Sequence, residues 1–292
     1  MVQEEGWKDA ASGCQYIIHL SAINEKECKK DQSDLTEKTL VGLKNVLEAA
    51  RDSGTVKRFL LAGSLAAVQG GLSGEDGKTY TEENWTDPNK KGLHPWAQFK
   101  VQAELEAMKF VEGLPDDNKF ELCVLHPGLV IGPILTKNAG TSLDIILKML
   151  NGGMPMVPRM CMAVTDVRDF SAAFVSAMTS QHAAGQRYIV CAGTKWMEDI
   201  ASILHEEFGP MGYKISRRRA PYFLLRIIGF FDSMAKAMCS AIGNFFSFDN
   251  SNLVKELKVT PHDINKTVIE TGHSLIQREF VKKTDKYSPL QA

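Results

Sequence analysis

Two side chains one helical turn apart raise the chemical question in this chain. In HPWAQFKVQAE, residues 94–104, Pro95 suits the first position of a helix, and the spacing puts Trp96 and Lys100 on one face. A lysine beside a phenol would form a proton-transfer pair. An indole N–H donates a hydrogen bond but does not release its proton in the accessible pH range, so Trp96 supplies no acid. Taken alone, Lys100 reads as a solvated helix lysine. Ser64 closes the apolar run VKRFLLAGS, at the carboxyl end of a strand, where doubly wound sheets place their sites, although a loop serine can follow any strand. His19 closes CQYIIHL and has the position of a core histidine. Asp166, Arg168 and Asp169 have the types of an active cluster but equally suit the fixing of a loop. Thr141 and Ser142 open a helical pattern, and helix N-termini favour phosphate. GGLSG, residues 70–74, precedes a polar loop rather than a helix, which argues against a phosphate cradle. Arg217, Arg218 and Arg219 read as a solvated face. Tyr80 and His94 are the nearest alternative proton donors to position 96.

Positioning these groups requires an alternating frame, and the sequence carries one. Short apolar runs at 14–20, 56–64, 120–128, 162–169 and 187–191 predict strands. Helical spacing predicts helices over 33–54, where Leu40, Leu43, Val46 and Leu47 repeat and Gly54 ends the pattern, then over 95–112, about 141–151, and through Met178. Strand and helix in alternation predict a parallel sheet covered on both faces. From about residue 195 the order loosens into helical segments, which suits a smaller lobe on the substrate side.

Composition narrows the classes. The 292 residues are 44% hydrophobic and 24% charged with a formal net charge of −1, which describes a soluble globular protein and gives no footing for nucleic acid. Six cysteines lie scattered without a C-x-x-C pair, as expected for free thiols in a reducing, cytoplasmic setting. The polar, acidic start MVQEEGWKDA has no signal-peptide pattern. The apolar stretch 221–246 is interrupted by Arg226, Asp232 and Lys236 and reads as an amphipathic helix rather than a membrane span.

GCQYIIHLSA, GLKNVLEAARDSGTVKRFLLAGSLAAV, YTEENWTDP, PWAQFKVQAELEA, FELCVLHPGLVIGP, TDVRDFSAAFVSAM, GQRYIV and FDNSNLVKEL occur in this order along the chain. The series resembles the extended short-chain dehydrogenase/reductases of the NAD-dependent epimerase/dehydratase superfamily, in their dihydroflavonol-4-reductase-like branch. That resemblance implies a Rossmann-type doubly wound parallel sheet over residues 1–194, truncated at its start, with a mostly helical substrate-side lobe over 195–292. It implies reduction of a small aldehyde or ketone with NADP or NAD. By the same resemblance Ser64 would hold the substrate carbonyl and Lys100 would grip the nicotinamide ribose while lowering the pKa of a neighbouring tyrosine. Pro127, Gly128, Leu129 and Val130 would border the nicotinamide, His19 and Ser21 would border the cofactor at a strand end, and Thr141 and Ser142 would face phosphate.

The sequence departs from this pattern twice. Trp96 stands where the family has its tyrosine. The glycine-rich turn that begins the family fold is not found before residue 14, which implies that roughly 60 residues of the pattern, two βαβ units of about 30 each, are absent. Both departures predict weak cofactor binding and weak or absent turnover. They leave open a non-catalytic binding or scaffold protein with the same fold, or a fragment of a longer reductase. They also predict that strand 14–20 is a free edge, with self-association through it.

Overall fold

The computed structural model describes residues 5–21, 32–71, 74–137, 140–223 and 241–290. Most of the 221–246 stretch lies outside these residues. Four strands form the central sheet: β1 (Tyr16–His19), β2 (Arg58–Ala62), β4 (Glu121–Pro127) and β7 (Arg187–Val190), in the order β1-β2-β4-β7 and parallel throughout. A two-residue strand β3 (Thr79–Tyr80) pairs elsewhere, with β9 (Ser247–Phe248). Apolar residues of the central strands alternate between the two faces, as a pleated strand demands. Phe59, Leu61, Leu122 and Val124 pack on helices α2 (Gln32–Ser53) and α3 (Pro95–Glu112), through Leu43, Leu47, Phe99 and Ala103. Leu60, Ala62, Cys123 and Leu125 pack on α5 (Val167–Thr179) through Ala173 and Phe174. The expected doubly wound parallel sheet is present.

Local signals account for most boundaries. The His94 side chain accepts from Trp96 N and Pro95 follows at the first turn, so α3 begins where the sequence predicts. Gly54 has φ +62°, which suits the left-handed turn after α2. Two boundaries differ from expectation. The strand expected over 162–169 is β6 (Cys161–Asp166), because the Asp166 carboxylate accepts from Arg168 N and starts α5 instead. The helix expected from residue 141 opens as a 3-10 turn, Thr141–Leu143, before α4 (Asp144–Leu150); Ser and Thr compete locally with helical backbone bonding.

After β4 the chain switches sheets. Gly128 lies so close to β6 that a Cβ there would meet the Ala163 carbonyl oxygen at 2.4 Å. Beyond it β5 (Leu129–Ile131) joins a second sheet in the order β5-β6-β8, where β8 is Gly193–Trp196. Helices α4, α6 (Met197–Phe208) and α8 (Ile264–Gln277) pack a second core around Ile131, Ile146, Ile200, Leu204 and Leu275. This core draws on residues from both sides of position 194, since β5, β6 and α4 precede it. A short helix α7 (Ser251–Lys255) buries Leu253 on the α5 side of the central sheet.

Among the described residues β1 pairs only with β2, and on its open flank Ile18 and Leu20 are 39% and 60% exposed. Trp7, in the short helix α1 (Trp7–Ala11), packs on the same cluster as Ile17, and the opposite, Ile18 face is left bare.

Candidate active site

The carboxyl ends of β1, β2 and β4 hold most of the residues singled out by sequence. Ser64 follows β2 and caps a 3-10 turn, its Oγ accepting from Ala66 N at 3.2 Å, so the hydroxyl proton remains available to a second acceptor. Lys100 projects from α3 to the end of the same strand, where its Nζ donates to the Ala62 carbonyl at 2.8 Å. The ammonium is 5% exposed, and burial pulls its pKa down to about 8 against the opposing charge of Glu104. Trp96 presents its indole face to this ammonium, 5.1 Å from Nζ, and packs with Phe99.

His19 ends β1, stacks on Phe59 and is 6% exposed, and neither ring nitrogen has a hydrogen-bond partner among the described residues. Burial, reinforced by the Lys100 charge, lowers its pKa to about 4, so the ring is neutral near pH 7. Ser21 lies half-buried at the end of the same described segment. Pro127 is buried at the end of β4, and the Gly128 N–H donates to Thr165 Oγ1 at 2.9 Å. Leu129 and Val130 are half-buried in β5, paired with Val164 and Thr165.

The neutral His19 has a measurable consequence. Unfolded histidine binds a proton near pH 6.5 whereas the folded ring resists until about pH 4, so the unfolded state gains protons across that window and stability falls as the pH drops through it. His19→Phe is expected to remove about 3 kcal/mol of that acid sensitivity, read as denaturation midpoints at pH 7 and pH 4.5. An unchanged pH slope would refute it.

Other candidates sit apart from this cluster. Thr141 and Ser142 pack against β5 in the second lobe, and Asp144 in the first turn of α4 brings a negative charge that opposes a phosphate there. Asp166 accepts from Thr267 Oγ1 at 2.6 Å and pairs with Arg168, while Asp169 bonds to His262; together they fasten the start of α8 to α5. Tyr80 is buried between Phe246 and Phe248 with its hydroxyl against Glu75 N, and His94 Nδ1 serves as the α3 cap.

Sequence reasoning missed a buried polar group behind the site. His126, Glu104 and Arg187 connect to the Ser64 peptide, and Gly63 makes room for the His126 ring. Glu104 stands one turn after Lys100, and His126 directly precedes Pro127. Both were visible as types, but their pairing depends on the packing of α3 on β4.

A helix-covered parallel sheet with polar side chains gathered at the carboxyl ends of its strands is the arrangement of a Rossmann-type α/β protein. The chain belongs to the NAD dependent epimerase/dehydratase family, whose profile matches residues 3–191. It is 28% identical over 222 residues to an anthocyanidin reductase of Arabidopsis thaliana, across 71% of this chain and 64% of that protein. It is also 28% identical over 194 residues to a cinnamoyl-CoA reductase of Medicago truncatula, across 65% and 58%. The chain thus spans less than two thirds of the length of these relatives. In fold it is similar to yeast methylglyoxal/isovaleraldehyde reductase complexed with NADPH, with TM-score 0.75, 20% identity, and 95% and 81% of the two chains covered. Vestitone reductase from alfalfa gives TM-score 0.70 at 18% identity, with 96% and 81% covered.

Proposed function

We propose that this chain carries the nicotinamide side of an NAD(P)H-dependent reductase acting on a small aldehyde or ketone, with its proton donor replaced by Trp96. The observation that carries this reading is the convergence of Ser64, Lys100 and His19 at adjacent strand ends, where two buried imidazole nitrogens lack partners among the described residues. Orphaned buried polar atoms beside a desolvated ammonium suit the hydroxyls of a ribose, so the residues fit the nicotinamide half of the cofactor. His19, Ser21, Lys100 and the Pro127–Val130 segment would hold that half, and the bound cofactor would supply hydride. Ser64 would donate its free hydroxyl proton to the substrate carbonyl and polarise it. Lys100 has two ammonium hydrogens beyond the one on Ala62, enough for a ribose diol. No glycine-rich phosphate turn occurs in these 292 residues, and the Trp96 indole releases no proton. Within this reading residues 1–194 serve the cofactor and 195–292 shape the substrate side.

Titration with NADPH, followed by calorimetry, tests the proposal. Binding weaker than the low micromolar range is expected, and Lys100→Met should abolish what binding there is. Low-micromolar affinity in the chain alone would overturn the half-site reading. A second reading, a binding or scaffold protein that retains the fold, draws on the Trp96 indole that faces the Lys100 ammonium.

We also infer self-association through β1, whose open flank exposes Ile18 and Leu20. Sedimentation of the purified chain should show concentration-dependent association that Ile18→Lys reduces. A monomer at every concentration would rule this out. Among the described residues no helix is long and apolar enough to cross a membrane.

A further inference from the structure

One set of buried polar groups is not used by the chemistry above. His126 and Glu104 have no exposed side-chain surface, and the Arg187 side chain is 10% exposed. A single carboxylate oxygen, Glu104 Oε1, receives both His126 Nε2 at 3.1 Å and Arg187 Nε at 2.7 Å. On the far side of the imidazole, Nδ1 lies 3.2 Å from Ser64 N and 3.0 Å from the Ser64 carbonyl oxygen. The ring lies over Gly63, where a Cβ would come within 2.5 Å of Nδ1. The network therefore joins the three segments that form the candidate site: the end of β2, helix α3 one turn beyond Lys100, and the end of β4.

The carboxylate fixes the direction of the bond at Nε2. Burial alone would raise the Glu104 carboxyl, but the hydrogen bonds it accepts from His126 and Arg187, with the Arg187 charge, outweigh it and hold its pKa below the usual carboxylate value. An ionised carboxylate only accepts, so the imidazole hydrogen must sit on Nε2. In a neutral ring Nδ1 then carries a lone pair, and the donor within reach is the Ser64 N–H. The Ser64 carbonyl, slightly nearer, would become a partner only if the ring gained a second proton.

We propose that His126 is a positioning residue for Ser64: Glu104, oriented by Arg187, sets its tautomer, and Nδ1 then holds the Ser64 N–H so that the hydroxyl is presented from a fixed peptide. The proposal rests on the reading of Ser64 given above. Glu104 Oε2 and Arg187 Nη2 are buried without a partner among the described residues, so the network is not held for its stability, and an apolar cluster would fill the same space at lower desolvation cost. The retained benefit is geometric control of the serine.

The test uses the full chain with 15N-labelled histidine, so its main readouts do not require turnover. The wild-type His126 resonances are expected to show a protonated Nε2 and an unprotonated Nδ1, and the Ser64 amide should exchange slowly. Glu104→Leu removes the acceptor that Nε2 shares with Arg187. The ring should then lose its preference for Nε2–H and populate the Nδ1–H tautomer, which can donate to the Ser64 carbonyl, and Ser64 exchange should rise about tenfold. His126→Asn, whose Oδ1 can stand in for Nδ1, should keep more of the Ser64 protection than His126→Gln, whose amide stands in for Nε2. A purely structural role would give equal protection in the two variants. An Nδ1–H tautomer in the wild type, or equal Ser64 exchange in the folded variants, would overturn the proposal, and the wild-type tautomer decides it if the variants do not fold. Where the reductase reading is restored by a phenol at position 96 and an added dinucleotide-binding segment, Glu104→Leu should lower kcat and leave KM for NADPH unchanged. Failure to recover turnover there counts against the reductase reading and leaves the tautomer result standing.

Discussion

Trp96→Tyr is expected to raise carbonyl reduction by about 10²–10⁴-fold, and to do so only in a polypeptide that also binds the cofactor's phosphates. The ring at position 96 faces the Lys100 ammonium at 5.1 Å and packs against Phe99, so the smaller phenol would occupy volume already provided. There the cation would favour the ionised phenol and lower its pKa, which is the condition for efficient proton transfer near neutral pH. The indole has no equivalent proton to give. Proton donation and phosphate binding are separate requirements, so a four-way comparison distinguishes them: the chain alone, Trp96→Tyr, a fusion that places a glycine-rich dinucleotide-binding segment ahead of residue 1, and the fusion with Trp96→Tyr. Turnover of NADPH with a short-chain aldehyde should appear strongly only in the last. If Trp96→Tyr alone gave turnover, the residues present would already hold the whole cofactor. If the fused Trp96→Tyr protein stayed silent, the reductase reading would fall.

Lys100→Met is expected to stabilise the fold by about 2–3 kcal/mol at pH 7 while removing the cation the site depends on. Lys100 is 5% exposed, and its pKa is pulled down to about 8 from the 10.5 of a free side chain. Between those values the unfolded chain binds a proton that the folded chain does not, so the Lys100 contribution to stability rises with pH across the window and its burden is fully present below it. Methionine fills nearly the same volume without a charge to desolvate. The advantage of the variant over wild type should therefore be largest at pH 7 and close as the pH approaches 10.5. Measuring the difference between the two proteins cancels the buried thiols of Cys123 and Cys191, whose pKa values are pushed up to about 12 in both. Denaturant midpoints at pH 7 and pH 10 decide the matter. A variant less stable than wild type at both would show that the cation–π contact and the Ala62 hydrogen bond outweigh desolvation.

Much of the frame was legible because its signals are local. The period of Leu40, Leu43, Val46 and Leu47 predicts α2, Pro95 predicts the start of α3, and the five apolar runs predict strands that all occur within a few residues of their expected bounds. Ser64 and Lys100 could be named from sequence because each lies at a strand end or on a helix face whose position follows from that local pattern. The properties of those side chains were decided by tertiary structure. Lys100 looks like a solvated surface lysine in sequence, and only the packing of α3 on β2 buries it and points Nζ at Ala62. His19 looks like a satisfied core histidine, yet it is buried on Phe59 with neither ring nitrogen partnered among the described residues. Residues 167–169 read as the end of a strand, yet the bond from Arg168 N to Asp166 starts a helix there. The His126–Glu104–Arg187 group is the clearest case. Its members are 22 and 83 residues apart along the chain and meet only through the parallel β4–β7 pairing and the packing of α3 on β4. Periodicity records which face of an element is buried. It carries no record of which strand lies beside which, and hydrogen-bond partners, desolvation and therefore pKa all depend on that neighbour.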